Sequence, residues 1–136
     1  MNYRVIKRKN LQTKQYGWYA TAIASGEATL EMIASKIENR CTVTRPDILA
    51  VLAAFNDEIT DRLALGQIVR LGELGTLQLG LSSKGAVSED KWDPILIRKA
   101  HVNFRAGARL KGSAEKVNYK RVYTAPSVQA DPEGNA

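Results

Sequence analysis

The chain has 136 residues, 44% of them apolar and 25% charged, which is room for one modest domain with terminal segments. Its 20 Lys and Arg outnumber its 14 Asp and Glu for a formal charge of +6, which favours a polyanionic partner, nucleic acid or an anionic membrane. Cys41 is the only cysteine, so an internal disulfide is excluded and a reducing cytoplasm is the natural reading. The basic start has no apolar run behind it, so it does not read as a secretory signal, and nothing approaches the ~18 apolar residues of a membrane span.

Charge is uneven along the chain. Residues 1–28 sum to +4, residues 29–66 to −2, residues 67–104 to +1 and residues 105–136 to +3. The opening segment reads as two short strands, around Tyr3 to Ile6 and from Gly17, joined by a polar loop. Thr29 can cap a helix whose Leu30, Ile33, Ala34 and Ile37 share one face. Thr44 can cap a longer one, with Pro46 in its first turn and Asp47 placed to complete a capping box. Ile48, Leu49, Leu52, Phe55, Ile59 and Leu63 follow at three- and four-residue steps, and Gly66 can end the helix in a left-handed conformation.

Beyond Gly66 the period changes. Ile68, Val69 and Leu71 suggest a short strand, and Leu77, Leu79 and Leu81 alternate with Gln78, Gly80 and Ser82 as a half-buried one. Residues 83–93 are polar and turn-rich. Ile95, Ile97, Val102 and Phe104 predict a further strand, with Pro94 at its entry. A short helix is expected from Arg105 to Lys111, and another strand from Val117 to Tyr123. From Thr124 the Pro, Ser, Gln, Asp, Gly and Asn content predicts a disordered tail.

Three pieces in this order resemble the HU/IHF family of bacterial DNA-binding proteins: Ile59-x3-Leu63-x2-Gly66-x2-Val69-x-Leu71, then Gly72-Glu73-Leu74-Gly75-Thr76-Leu77, then Phe104-x2-Gly107-x2-Leu110-Lys111. The second is one residue longer than the family's Gly-Phe-Gly-Thr-Phe. The resemblance covers residues 29–112, and the extended ends resemble the longer-chain, HU-related subgroup found mainly in Bacteroidetes. It implies an α+β fold with a helical dimerisation layer, a three-stranded antiparallel sheet and a β-arm, plus N- and C-terminal strand extensions. The implied segments are an N-terminal extension (1–28), the HU/IHF-like DNA-binding domain (29–112), a C-terminal strand (113–123) and the tail (124–136). In the family two chains interlock through their helices, their sheets form a saddle, and arms lie in the minor groove and wedge an apolar residue between base steps.

The arm region departs from that pattern. Residues 83–94 contain Glu89, Asp90 and Asp93 and lack the family's Arg-Asn-Pro, so the intercalating proline has no counterpart. The candidate phosphate contacts are Lys84, Lys91, Arg98, Lys99, Arg105, Arg109 and Lys111. Only Lys111 lies inside a matched motif; the others follow from charge and position.

Each candidate has a plainer alternative. Arg105, Arg109 and Lys111 fit a saddle or a solvated helix face. Lys84 and Lys91 stand beside acids that can neutralise them. The N-terminal Arg4, Lys7, Arg8, Lys9 and Lys14 read as a second DNA-contacting arm or an edge-strand guard. Trp18 reads as core, and Trp92 as an exposed aromatic or a wedge. His101 reads as a strand residue, and Cys41 as a buried or half-buried small side chain.

No catalytic, metal-binding or phosphate-loop constellation appears, and no cofactor or small-molecule substrate is expected. The sequence therefore points to a non-enzymatic, cytoplasmic, nucleoid-associated homodimer that binds double-stranded DNA with little sequence preference. The alternatives are an HU-like protein-interaction module that has lost the bending arm, and an RNA-binding protein.

Overall fold

The structure is a computed structural model that describes residues 1–123. The tail expected from Thr124 lies outside the described residues. Along the chain run β1 (Asn2–Lys9), β2 (Tyr16–Ile23), α1 (Leu30–Glu38), α2 (Arg45–Ala64), β3 (Val69–Arg70), β4 (Gly75–Ser83), β5 (Ile97–Ala106), α3 (Ala108–Glu115) and β6 (Lys120–Arg121). Contacts divide the molecule into two compact units, Met1–Glu27 with the described part of Val117–Ala136, and Ala28–Lys116.

In the first unit β1 and β2 form an antiparallel hairpin in unbroken register from Asn2↔Ile23 to Lys9↔Tyr16. The Asn10 side-chain oxygen accepts from the amides of Gln12 and Thr13, fixing the connecting turn. The C-terminal strand is shorter than expected. Only β6 pairs, parallel to Asn2 and Tyr3 of β1, so the sheet order is β2-β1-β6. The N-terminal ammonium donates to the Asn118 carbonyl at 2.6 Å, and the Val122 amide to Tyr3 at 2.8 Å.

In the second unit the helix ends follow local chemistry. Thr29 Oγ1 accepts from the Met32 amide, as an N-cap should. At α2 the expected capping box takes another form: the Thr44 hydroxyl donates to the Asp47 carboxylate and accepts no helix amide. Glu38 accepts from the Arg45 amide at 3.0 Å, joining the end of α1 to the start of α2. At the far end Gly66 takes a φ of +75°. Its amide bonds Leu63 and that of Gln67 bonds Arg62, the double closure of a Schellman motif.

Strands β3, β4 and β5 form an antiparallel sheet in that order. The β4–β5 ladder continues past the last residue paired with β3, as a two-stranded ribbon over residues 78–83. The expected strand start at Ile95 is corrected. Pro94–Leu96 is a single 3₁₀ turn, because the Asp93 carboxylate accepts from the Ile95 amide and Pro94 has no amide for a ladder. Arg105 belongs to β5, so the last helix begins three residues later than expected, at Ala108.

Among the described residues the buried apolar side chains are Ala34, Ile48 and Leu63. Trp18, expected in the core, is 70% exposed, and Cys41 is exposed with its thiol donating to the Ile37 carbonyl. Phe104 of β5 is 53% exposed in the single chain.

Gly75 fixes the start of the sheet. Its φ is +144°, and a Cβ there would collide with the Arg105 carbonyl oxygen. Gly112, inside α3, faces open space. Denaturant titration at fixed protein concentration should show Gly75→Ala losing about 2–3 kcal/mol or more. Gly112→Ala should gain about 0.5–1 kcal/mol, from helix propensity alone.

Candidate nucleic-acid interface

Side chains alternate across a strand, so the register sorts this sheet into two faces. One face carries Leu77, Leu79 and Leu81 opposite Phe104, Val102 and Ala100, with Val69 beside Leu77. The other carries Thr76, Gln78, Gly80 and Ser82 opposite Arg105, Asn103, His101 and Lys99, with Arg70 beside Thr76. The three strands hold Arg70, Arg98, Lys99 and Arg105 and contain no Asp or Glu. Arg70, Thr76, Gln78, Asn103 and Arg105 line one concavity, with Ile68 and Phe104 completing its wall.

This face unites two of the expected residues, Lys99 and Arg105, with two that sequence reasoning left aside, Arg70 and His101. The signal for His101 is visible in the sequence: Lys99, His101, Asn103 and Arg105 alternate with Ala100, Val102, Phe104 and Ala106. Arg70 joins only through the pairing of β3 with β4, which no local pattern announces.

The other candidates lie elsewhere. Arg98 is the residue inserted where the ladder steps from Ser82↔Lys99 to Ser83↔Ile97, at a β-bulge. Lys84 leaves the ribbon, its amide bonding the Leu96 carbonyl at 2.9 Å, and Lys91 ends the 3₁₀ turn Glu89–Lys91. Both therefore belong to the connection that also carries Glu89, Asp90 and Asp93. Arg109 is paired with Glu73 at 3.1 Å. Lys111 is exposed two residues further along α3, about 200° around the helix from Arg109, so the two do not form one stripe. Among the described residues Arg70, Lys99 and Arg105 make no ion pair.

No group of His, Cys, Asp and Glu among the described residues is arranged to hold a metal, and no helix among them is long and apolar enough to cross a membrane.

Residues 1–121 match the HU-HIG family, described as an HU domain fused to wHTH, Ig, or glycine-rich motif. The chain belongs to the HU-HIG family. The HU-HIG match takes in both compact units, including the N-terminal hairpin that the HU/IHF resemblance left out. A crystal structure of a candidate bacterial DNA-binding protein from Bacteroides vulgatus shares the fold, with a TM-score of 0.61 and 12% sequence identity. The superposition covers 93% of this chain and 50% of that one, so the HU-HIG chain spans half the length of its structural neighbour. No curated protein matches it in sequence.

The Arg109–Glu73 pair is largely solvated, with side chains 81% and 76% exposed. Such pairs contribute little. Glu73→Gln should therefore shift the unfolding free energy by less than about 0.5–1 kcal/mol. Thermal and denaturant unfolding would check it.

Proposed function

We propose that this HU-HIG chain binds double-stranded DNA through the polar face of β3-β4-β5, as a homodimer. The observation that carries the reading is the acid-free, cationic face holding Arg70, Lys99 and Arg105. Guanidinium and ammonium groups match phosphate oxygens, and the hydroxyls and amides of Thr76, Gln78, Ser82 and Asn103 suit phosphate and sugar groups. Contacts of that kind position a duplex with little regard to sequence. The description of the neighbour from Bacteroides vulgatus as a candidate DNA-binding protein supports the same direction.

In this reading Lys99 and Arg105 are the inner contacts. Arg98, at the bulge, and Lys84 and Lys91, at the ribbon end, meet the flanking backbone in or beside the minor groove. Lys111 adds an outer contact, and Arg109 contributes once released from Glu73. With no proline wedge at the ribbon tip, bending comes from charge neutralisation along the cradle, and the nucleoid is the expected location.

The homodimer rests on the apolar surface a single chain leaves open. Ile33 and Ile37 on α1, Val51 and Phe55 on α2, and Val102 and Phe104 on β5 are each between 37% and 65% exposed. A second copy covering them would supply the missing core. The apparent melting temperature should then rise with protein concentration, and sedimentation equilibrium should return twice the chain mass. A concentration-independent transition of a single chain would remove the dimer.

Duplex binding is tested by fluorescence anisotropy on unrelated sequences at rising salt. Each phosphate contact adds about 0.9 to the slope of log affinity against log salt. The combined Arg70→Ala, Lys99→Ala, Arg105→Ala variant should lower that slope by about 2.7 per chain and weaken all sequences alike. A protein-interaction role is the second reading, favoured by Glu89, Asp90 and Asp93 in the ribbon connection. An unchanged slope would select it.

A further inference from the structure

The N-terminal hairpin carries a concentration of charge that the duplex reading does not use. Among the described residues of its unit Arg4, Lys7, Arg8, Lys9, Lys14, Lys120 and Arg121 are basic, and Glu27 is the acid. None of these basic residues makes an ion pair there. A guard against edge pairing needs one or two cations, not seven against one acid among the described residues.

The register shows what accompanies the charge. Tyr3, Val5, Lys7 and Lys9 of β1 share a face with Ala22, Ala20, Trp18 and Tyr16 of β2. At one end Tyr3, Ala20 and Ala22 form an apolar recess with Met1 and Tyr119. At the other the Lys7 and Lys9 ammonium groups stand 5.0 and 5.9 Å from the centre of the Tyr16 ring. Lys7 is the cross-strand partner of Trp18, yet it leans over Tyr16, and among the described residues no cation covers the indole. Trp18 stays 70% exposed between the lysines and the recess.

An uncovered indole beside two ammonium groups is complementary to a base and its phosphate. The pair is not offered laterally by a duplex, whose bases are stacked on one another. The geometry points to a single-stranded nucleic-acid site on this face, distinct from the β3-β4-β5 surface. One unpaired base stacks on Trp18, its backbone lies along Lys7 and Lys9, and a flanking base enters the recess beside Tyr3 and Tyr119. Stacking of this kind tolerates any base, and the cations make it salt-dependent. The ribose or deoxyribose is not selected by these groups, so single-stranded DNA and RNA are both substrates of the site.

The test uses the full chain with Trp92→Phe, which leaves Trp18 as the only tryptophan. Oligo-dT and oligo-rU of about 12 nucleotides, within the usual site size, are titrated against Trp18 fluorescence. Saturable quenching by both, with similar affinity, supports the site and its indifference to the sugar. Trp18→Ala, which removes the fluorophore and is therefore read by the anisotropy of a labelled oligonucleotide, should weaken binding about 5- to 150-fold, and Trp18→Phe, read the same way, should keep most of it. Paired Lys7→Glu and Lys9→Glu substitutions leave the indole in place and should lower both affinity and salt slope, which covers the case where Trp18→Ala disturbs the hairpin. The Arg70, Lys99, Arg105 triple variant should leave quenching unchanged, whether or not duplex binding survives. Three results would overturn the site: no quenching by either oligonucleotide, equal competition by a duplex of the same length, or a Trp18 response only to phosphatidylserine vesicles.

Discussion

The pairing of β4 with β5 is the constraint from which the rest of the second unit follows. Its alternation sends Leu77, Leu79, Leu81, Val102 and Phe104 to one face and Gln78, Asn103, Lys99, His101 and Arg105 to the other. A slip of one residue would exchange the two sets, placing cations where apolar cover is needed. The register is held at its open end by backbone contact. Gly75 passes so close to the Arg105 carbonyl that no Cβ fits, and the Gly107 amide bonds the Leu74 carbonyl at 3.0 Å. At the ribbon end the bulge at Arg98 breaks the alternation only after the last polar pair.

The two faces make assembly and charge parts of one problem. With only Ala34, Ile48 and Leu63 buried among the described apolar side chains, a single chain gains little from removing apolar surface from water. Covering the apolar side by a second copy would leave the cationic side outward on both chains. Repulsion between those sides would then oppose association at low salt and be relieved by a polyanion. Partner and dimer would thus favour each other, in the linkage sense that anything binding the assembled state stabilises it.

The helical layer was legible because its signals are local. Thr29, Thr44, Pro46 and Gly66 mark ends through their own backbone and side-chain chemistry, and the apolar steps between them need no distant partner. The alternating strands were legible for the same reason. Arg70 was not, since β3 is two residues long and its facing depends on a non-local ladder. The 3₁₀ turn at Pro94–Leu96 was hidden because Asp93 competes for the Ile95 amide, a side-chain effect that the apolar period does not register. Trp18 was misplaced for a different reason. Burial was inferred from its aromatic neighbours, but an aromatic is buried only when a second layer packs on its face, and the hairpin leaves that face exposed.

Composition separates the two basic surfaces by the kind of polyanion each suits. The polar face of β3-β4-β5 presents cations, hydroxyls, amides and the His101 imidazole but no tryptophan or tyrosine, so what it chiefly offers a nucleic acid is charge and hydrogen bonding to the backbone. Such contacts fade together as salt rises, through counterion release. The hairpin face adds the Trp18 indole and the Tyr3–Tyr119 recess to its lysines. Base stacking involves no released counterion, so affinity carried by it outlasts the phosphate contacts at high salt. Rising salt would therefore separate the two surfaces, weakening the sheet face first and leaving the hairpin face its stacking component.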